Sequence, residues 1–445
     1  MAGFVQNCKV FSNLEFFAKR ESSSIVSITI SVAAALINKV KRYTLDIYKC
    51  KIKAKGFDTG FVPEHYIESN CAFGINESCA RFILKFFVLD FLEENLEEKK
   101  MVCLAWPKLV EIKCFENGAI NYTFKASVVS NICPDHWEKI HFSPPKRKLY
   151  KDLDRQAVVF IKTAEDELLH QQKTDISSKK IIQDSDWVAF STILLNSNNQ
   201  PAVRGYATNY WLKVDTKYVM TPLHKSFLGR QEGDVFVVED LPIFGIPNDL
   251  LSTKGKFKII ISNIVKSSQF SLEQFKNIFQ LKAQRDIHEK LIEIFSFRND
   301  ISQRRLIIDE AFRVLFGKIR FEIPRYLVLR RQEKLLTSVK KLPDYNVYKM
   351  NENFDKQISV LAERQIKEEA LVRQIGFNEN ISISSQDILE YLNLLNHHRL
   401  VEFIYFLPTL EYTQNVCLPL KESILKLAVL KEKVLNYIIV RLSAQ

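Results

Sequence analysis

GKFKIIISNIVKSSQFSLEQF, residues 255–275, changes its periodicity part-way along. Lys256–Val265 is rich in β-branched side chains, which fit a pleated surface, so it reads as a strand. From Ser271 onwards the apolar spacing becomes helical. Long amphipathic helices are expected at about 271–297, 299–316, 324–341, 351–375, 385–406 and 419–442. Gly376 is expected to end one helix, Ser384 or Ser385 to cap the next, and Pro324 to sit near the start of a third. Upstream of 255 the strand signals continue backwards at Asp234–Asp240, Tyr210–Val214 and Trp187–Leu195, with turns rich in Asn, Pro and Gly between them.

The N-terminal part mixes both periods. Residues 25–33, IVSITISVA, alternate as a strand does, and Ala34–Lys55 then puts Leu36, Val40, Tyr43, Ile47 and Tyr48 on one side of a helix. The loop GFDTGFVP at 56–63 follows, then helical stretches at about 64–70 and 75–98. Strands are expected at Leu109–Phe115 and Ile120–Ile132, with Asn117-Gly118 as the hairpin signal between them. Pro134 opens a more polar stretch containing SPPKRKLY and a charged helical run, Asp152 to Gln172. The expected fold class is α+β and multidomain. It divides into an N-terminal α+β domain at 1–132, a connector and part of the helical body at 133–180, a small β-rich domain at 181–267, and a helical domain at 268–445.

Composition narrows the function classes. Hydrophobic residues are 47% and charged residues 26% of 445, which excludes wholesale disorder. Lys and Arg number 63 against 52 Asp and Glu, and the resulting +11 favours acidic partners such as nucleic acid or the ribosome. With only 12 glycines, glycine-rich phosphate loops are not expected. The 8 cysteines show no C-x-x-C spacing, and the 8 histidines do not complete a zinc pattern. His397-His398 are adjacent and point about 100° apart on a helix, so they form no metal clamp. Neither metal nor cofactor is expected. The start, MAGFVQNCKVF, lacks a signal-peptide pattern, and the stretch 25–37 is too short to span a bilayer. The expectation is a cytoplasmic protein without a membrane partner.

Four local signatures, in order, resemble the trigger factor family of ribosome-associated chaperones. GFDTGFVP at 56–63 is similar to the family's docking signature G-F-R-x-G-K-x-P. Gly56, Phe57, Gly60 and Pro63 match, while Asp58 stands in place of Arg and Phe61 in place of Lys. FLGRQEGD at 227–234 resembles a turn late in the family's FKBP-like domain, and 255–275 resembles the strand that closes it. FEIPRYLVLRRQEKL at 321–335 resembles a helix start in the chaperone body.

The resemblance implies an ATP-independent chaperone that docks near the ribosome exit tunnel and shields nascent or unfolded polypeptides. A second copy of the chain is a further candidate partner off the ribosome. The docking residues would be 56–63 together with Lys53 and Lys55, at the end of a helix that also carries Lys49 and Lys51. Two phenylalanines in so short a loop, Phe57 and Phe61, cannot both be buried. The family's isomerase pocket would fall on Thr192, Val203, Met220, Leu223 and Phe244. That set is apolar but has lost its aromatic walls, so the resemblance implies a retained fold with weak prolyl isomerase activity. In the helical part, apolar stripes run through Ile358, Leu361, Ala362 and Ile366, and through Ile424, Leu427, Ala428, Leu435 and Ile438. Two other readings stay open: an active peptidyl-prolyl isomerase, and a basic RNA-associated assembly factor.

Overall fold

The computed structural model describes residues 11–444 except 23, 53, 59–60, 116–117, 130–131, 133–135, 147–150, 175–179, 197, 204–205, 216–221, 240, 242–255, 268–270, 295–301, 320, 398–399, 409–411 and 414–415. The chain opens with β1 (Leu14–Arg20) and β2 (Ile25–Val32), then α1 (Ala34–Lys51) and α2 (Glu64–Ile83). A π-turn at Leu84–Val88 joins α2 to α3 (Leu89–Glu98). The region 64–98 is thus one continuous helical run, where two separate stretches were expected. Its intervening residues include no proline, and the single Gly74 costs a helix only about 1 kcal/mol.

β3 (Val102–Cys103), β4 (Lys108–Cys114) and β5 (Ile120–Val129) complete an antiparallel sheet in the order β1-β2-β5-β3, with β4 also on β5. Alternation in β2 sends Val26, Ile28, Ile30 and Val32 to the covered face. They meet Tyr122 and Phe124 of β5, Leu36 and Val40 of α1, and Ile83 and Phe87 of the long helical run. Asn117 of the expected hairpin signal lies outside the described residues, but Gly118 takes a φ of 79°, and Phe115 donates to Ala119 O at 2.9 Å across the turn.

After α4 (Lys151–Thr174) comes the second sheet, from β6 (Trp187–Leu195), β7 (Thr208–Lys213), β8 (Val235–Glu239) and β9 (Lys256–Val265), with α5 (Pro222–Phe227) between β7 and β8. A fifth strand arrives from far along the chain: β12 (Leu420–Lys421) pairs β7, in the order β12-β7-β6-β9-β8. One face of this sheet presents Val188, Phe190, Tyr210, Leu212, Ile259 and Ile261 to Leu223 and Phe227 of α5. The other face presents Trp187, Ala189, Trp211 and Val265 to the helical body. Strand alternation puts apolar residues on both faces because both are covered.

The helical body contains α6 (Leu272–Phe279), α7 (Gln284–Ile292), α8 (Gln303–Lys318), α9 (Arg325–Val339), α10 (Tyr345–Lys349), α11 (Phe354–Asn378), α12 (Ser385–Asn396) and α13 (Glu422–Ser443), with a small hairpin of β10 (Tyr412–Thr413) and β11 (Val416–Cys417) before β12. The helix expected at 271–297 is broken in two, because Gln280 turns left-handed at φ 54° and closes α6. The helix expected at 385–406 stops after Asn396, and a 3-10 turn at Leu400–Phe403 follows. Ser384 is the cap of α12: it accepts from Asp387 N while the Asp387 carboxylate accepts from Ser384 N at 2.7 Å.

Gly376 does not end α11. The helix runs on to Asn378 and is closed by left-handed Asn380, with Ile381 N donating back to Gly376 O at 2.9 Å. Gly376 is there because α11 and α13 cross closely. A methyl group in its place would sit 2.9 Å from Val434 Cγ2. At the centre, Arg304 of α8 is buried and ion-pairs with Glu432 of α13 at 3.3 Å. Glu432 in turn accepts from the backbone N–H groups of Tyr405 and Phe406 at 2.9 and 3.0 Å. That carboxylate anchors the turn between α12 and α13 as well as α8.

Two outcomes follow for stability. Gly376→Ala gains helix propensity but collides with a stiff β-branched neighbour, so the net effect is a loss of about 1–3 kcal/mol, read by thermal denaturation. Glu369 of α11 accepts from Arg331 of α9 at 2.8 Å and from Lys431 of α13 at 2.9 Å. Burial pushes its carboxyl up, but Lys431 and Arg331 outweigh that and hold it at about 2, below its ordinary 4.5. A carboxylate depressed on folding stabilises above its unfolded pKa, and the gain is lost as pH falls towards the folded value. Glu369→Gln therefore lowers the melting temperature at pH 7, and the gap from wild type narrows between pH 4.5 and about 2.

Candidate functional site

Three surfaces carry the candidate residues, and the first is the loop at 56–63. Gly56 takes φ 90°, a conformation that residues with a Cβ rarely adopt, and lets Phe57 N donate to Ala54 O at 3.1 Å. Phe61 N donates to Asp58 O at 3.0 Å. Val62 is the anchor, fully buried against Leu45 of α1 and Ile67 and Ile75 of α2. Pro63 then supplies the extended N-cap of α2.

With Val62 turned inwards, its neighbours turn out. Phe61 is 79% exposed, and Phe57 is 41% exposed with its ring 5.4 Å from that of Tyr66. Asp58 and Lys55 are exposed beside them, and Lys49 pairs with Glu64 at 3.6 Å. Gly60 and Lys53 lie outside the described residues. The structure adds Phe73 of α2, 82% exposed, which sequence reasoning passed over because it fell between two expected helices. Read as one continuous helix, 64–83 places Phe73 off the stripe of Ile67 and Ile75, and that spacing is the signal that finds it.

The second candidate is the open end of the middle sheet. Thr192 and Val203 share a cleft with Leu194, Tyr206, Thr208 and Phe257, and the opposite wall is Phe82, Phe86 and Phe87 of the N-terminal helical run. The space left is about 20 Å³, room for one or two waters and far short of a prolyl ring. Thr192 is buried and its hydroxyl donates to Thr208 O at 3.3 Å. Leu223 is buried in the adjoining core with Phe190 and Phe227 and does not line this cleft. Met220 and Phe244 lie outside the described residues.

The aromatic wall is thus supplied by another part of the chain. The Phe87 ring packs tilted against that of Tyr206 with centroids 4.5 Å apart, and the Tyr206 hydroxyl donates to Asp90 Oδ2 at 2.6 Å while lying against the carbonyl of Phe86. A π-turn widens the helical ladder, which turns that carbonyl towards a partner outside the helix. Burial and the Asp90 carboxylate push the Tyr206 hydroxyl well above its ordinary pKa, so it stays a donor. Lys421 of β12 ion-pairs with the same Asp90 and lies 3.9 Å from Glu93.

The third surface is the α9–α11 hairpin. Ile358, Ala362 and Ile366 of the expected stripe are buried, and Leu361 is exposed. In α13, Ala428, Leu435 and Ile438 are buried, with Ile424 and Leu427 half-buried. The exposed apolar surface lies elsewhere: Tyr326 and Leu329 on α9, Leu342 after it, Val347 (70%) and Met350 (84%) at the tip, and Val360 on the return. Only Leu327 of α9 is buried. Exposed Arg325, Arg330, Lys334, Lys340 and Lys341 interleave with these apolar groups.

A family model described as bacterial trigger factor protein matches residues 15–156. A trigger factor from Geotalea daltonii is 22% identical over 374 residues, which covers 81% of this chain and 82% of its own. A solved structure concerned with promiscuous substrate recognition in folding and assembly by the trigger factor chaperone covers 96% of this chain and 99% of its own, at 14% identity and a TM-score of 0.35, too low to speak to the domain arrangement. Over residues 15–156 this chain resembles the trigger factor family, and along most of its length it is similar to one trigger factor, at the low identity of a divergent relative.

Proposed function

We propose that this chain is an ATP-independent, ribosome-associated chaperone that holds nascent or unfolded polypeptides. The observation that carries the reading is the apolar surface left open at the α9–α11 hairpin, where Leu329, Val347, Met350 and Val360 face solvent among charged neighbours. A monomeric soluble domain gains nothing from such exposure, whereas dispersed apolar contacts with charged rims suit a binder of irregular chains. The segments 1–132, 133–180, 181–267 and 268–445 act as docking domain, connector, middle domain and holding body. A homodimer off the ribosome belongs to the same reading.

Docking is assigned to the 56–63 loop, with Phe57 and Phe61 as apolar contacts and the neighbouring lysines as phosphate contacts. Asp58 repels what the family's arginine attracts. Phe61→Ala and Phe57→Ala are therefore expected to weaken ribosome co-sedimentation severalfold, and Asp58→Arg to strengthen it. Binding that is absent in low salt, or indifferent to all three changes, argues against docking through this loop.

Holding is tested separately. Val347→Asp with Met350→Asp should reduce suppression of aggregation of a denatured model protein without ATP, at an unchanged melting temperature, because both side chains are exposed. Unchanged suppression would remove the hairpin from the reading.

For the middle domain we favour a fold retained without efficient isomerase chemistry. A prolyl isomerase must surround the twisted amide with an apolar pocket and exclude water from it. Here the open end of the sheet is filled by Phe82, Phe86 and Phe87. Turnover of a short X-Pro peptide in a protease-coupled assay should fall far below that of an ordinary FKBP-type enzyme, and comparable turnover would show that substrate enters elsewhere.

A further inference from the structure

The outer edge of the N-terminal sheet is open. Among the described residues β4 pairs with β5 alone, and Val110 through Cys114 are exposed on both sides of the strand. Pairing of β4 with β5 is interrupted at Val110: Leu109 faces Phe124 and Glu111 faces Thr123, leaving Val110 as a bulge. At the other end Phe115 N donates to Ala119 O at 2.9 Å. Antiparallel ladders alternate, so residues 113 and 111 share the inward bonding of Phe115, and Ile112 and Cys114 turn their N–H and C=O groups to the open edge.

We propose that this edge pairs with the same edge of a second copy of the chain, antiparallel and centred on Ile112. The inference rests on the proposed homodimer and names its surface. In that register Ile112 exchanges two backbone bonds with its counterpart, and Val110 of each copy meets Cys114 of the other. Glu111 of each copy then stands opposite Lys113 of the other, so two opposite-charge cross-strand pairs form about the two-fold axis. The neighbouring registers are excluded by charge. Centring on Glu111 sets Glu111 against Glu111, and centring on Lys113 sets Lys113 against Lys113. Edge charges normally keep strands apart, but here they repel every near register except one. The bulge at Val110 ends the pairing after five residues, so the area is small and the dimer weak and concentration-dependent.

Sedimentation velocity of the full chain over about 1–200 µM tests this in low and high salt. The wild type should dimerise at the upper end, less in high salt. Glu111→Lys and Lys113→Glu should each weaken self-association about tenfold by setting like charges opposite, and the double exchange should restore it. Ile112→Pro should abolish it while leaving the β5 ladder intact, since the lost N–H faces outwards. Circular dichroism melts check that each variant is folded, and the restored double exchange separates charge pairing from misfolding. A chain monomeric at every concentration overturns both this surface and the proposed homodimer. A dimer indifferent to all the variants, or a double exchange that fails to restore it, overturns the β4 surface and leaves the homodimer reading standing.

Discussion

The Asp90 carboxylate holds three parts of the chain in one place. It sits on α3 of the N-terminal domain, accepts from Tyr206 between two strands of the middle sheet, and pairs with Lys421 where the helical body lends that sheet its edge strand. A partly buried carboxylate needs partners to offset its desolvation, and here both partners come from elsewhere in the chain. Around it the seam is apolar: Val203 and Tyr206 enter the core of the first sheet beside Phe87, and Leu420 enters the core shared by the middle sheet and the helices. Directional contacts set the register, and the apolar area around them supplies most of the attraction.

That arrangement changes what the middle domain can do. Among the described residues its sheet has one face committed to the helical body and the other to α5, which leaves the end near Thr192 and Thr208 for a ligand. The N-terminal phenylalanines occupy that end. The sequence positions facing this seam carry Thr192 and Val203, which pack against other side chains with little polar demand. Thr192 and Val203, which carry no aromatic rings, and the phenylalanines brought from the N-terminal helical run are two sides of one contact.

Exposure is distributed by the same logic. Apolar groups remain open where a helical hairpin projects beyond its neighbours: at the α1–α2 tip with Phe57 and Phe61, and at the α9–α11 tip with Val347 and Met350. At each tip one inward residue holds the local fold, Val62 in the loop and Phe354 at the start of α11. The exposed groups can therefore change partner without unfolding the hairpin. Deeper in the body, Arg304 with Glu432 and Glu369 with Arg331 and Lys431 tie α8, α9 and α11 to α13.

Much of this was legible in the residues alone. Alternation marked β2, β5, β6 and β9, helical spacing marked the C-terminal half, and Ser384 and Pro324 marked helix starts, because these are local properties of period and capping. The loop at 56–63 was legible for the same reason, since two glycines and a proline state their own turn. What escaped depends on partners distant in the chain. Gly376 reads locally as a stop and serves as a crossing point, because Val434 lies against it. The stripe on α11 names which helix face is apolar, but whether that face is covered depends on α13. Leu420 and Lys421 carry too short a signal to be called a strand, and become one only because β7 offers an edge. The periods of the main strands and helices, the cap at Ser384 and the turn that begins at Gly56 were thus determined by the sequence itself. Which apolar faces meet solvent, and whether the middle cleft is open, was decided only by tertiary packing, because burial is a property of two surfaces and the sequence displays them one at a time.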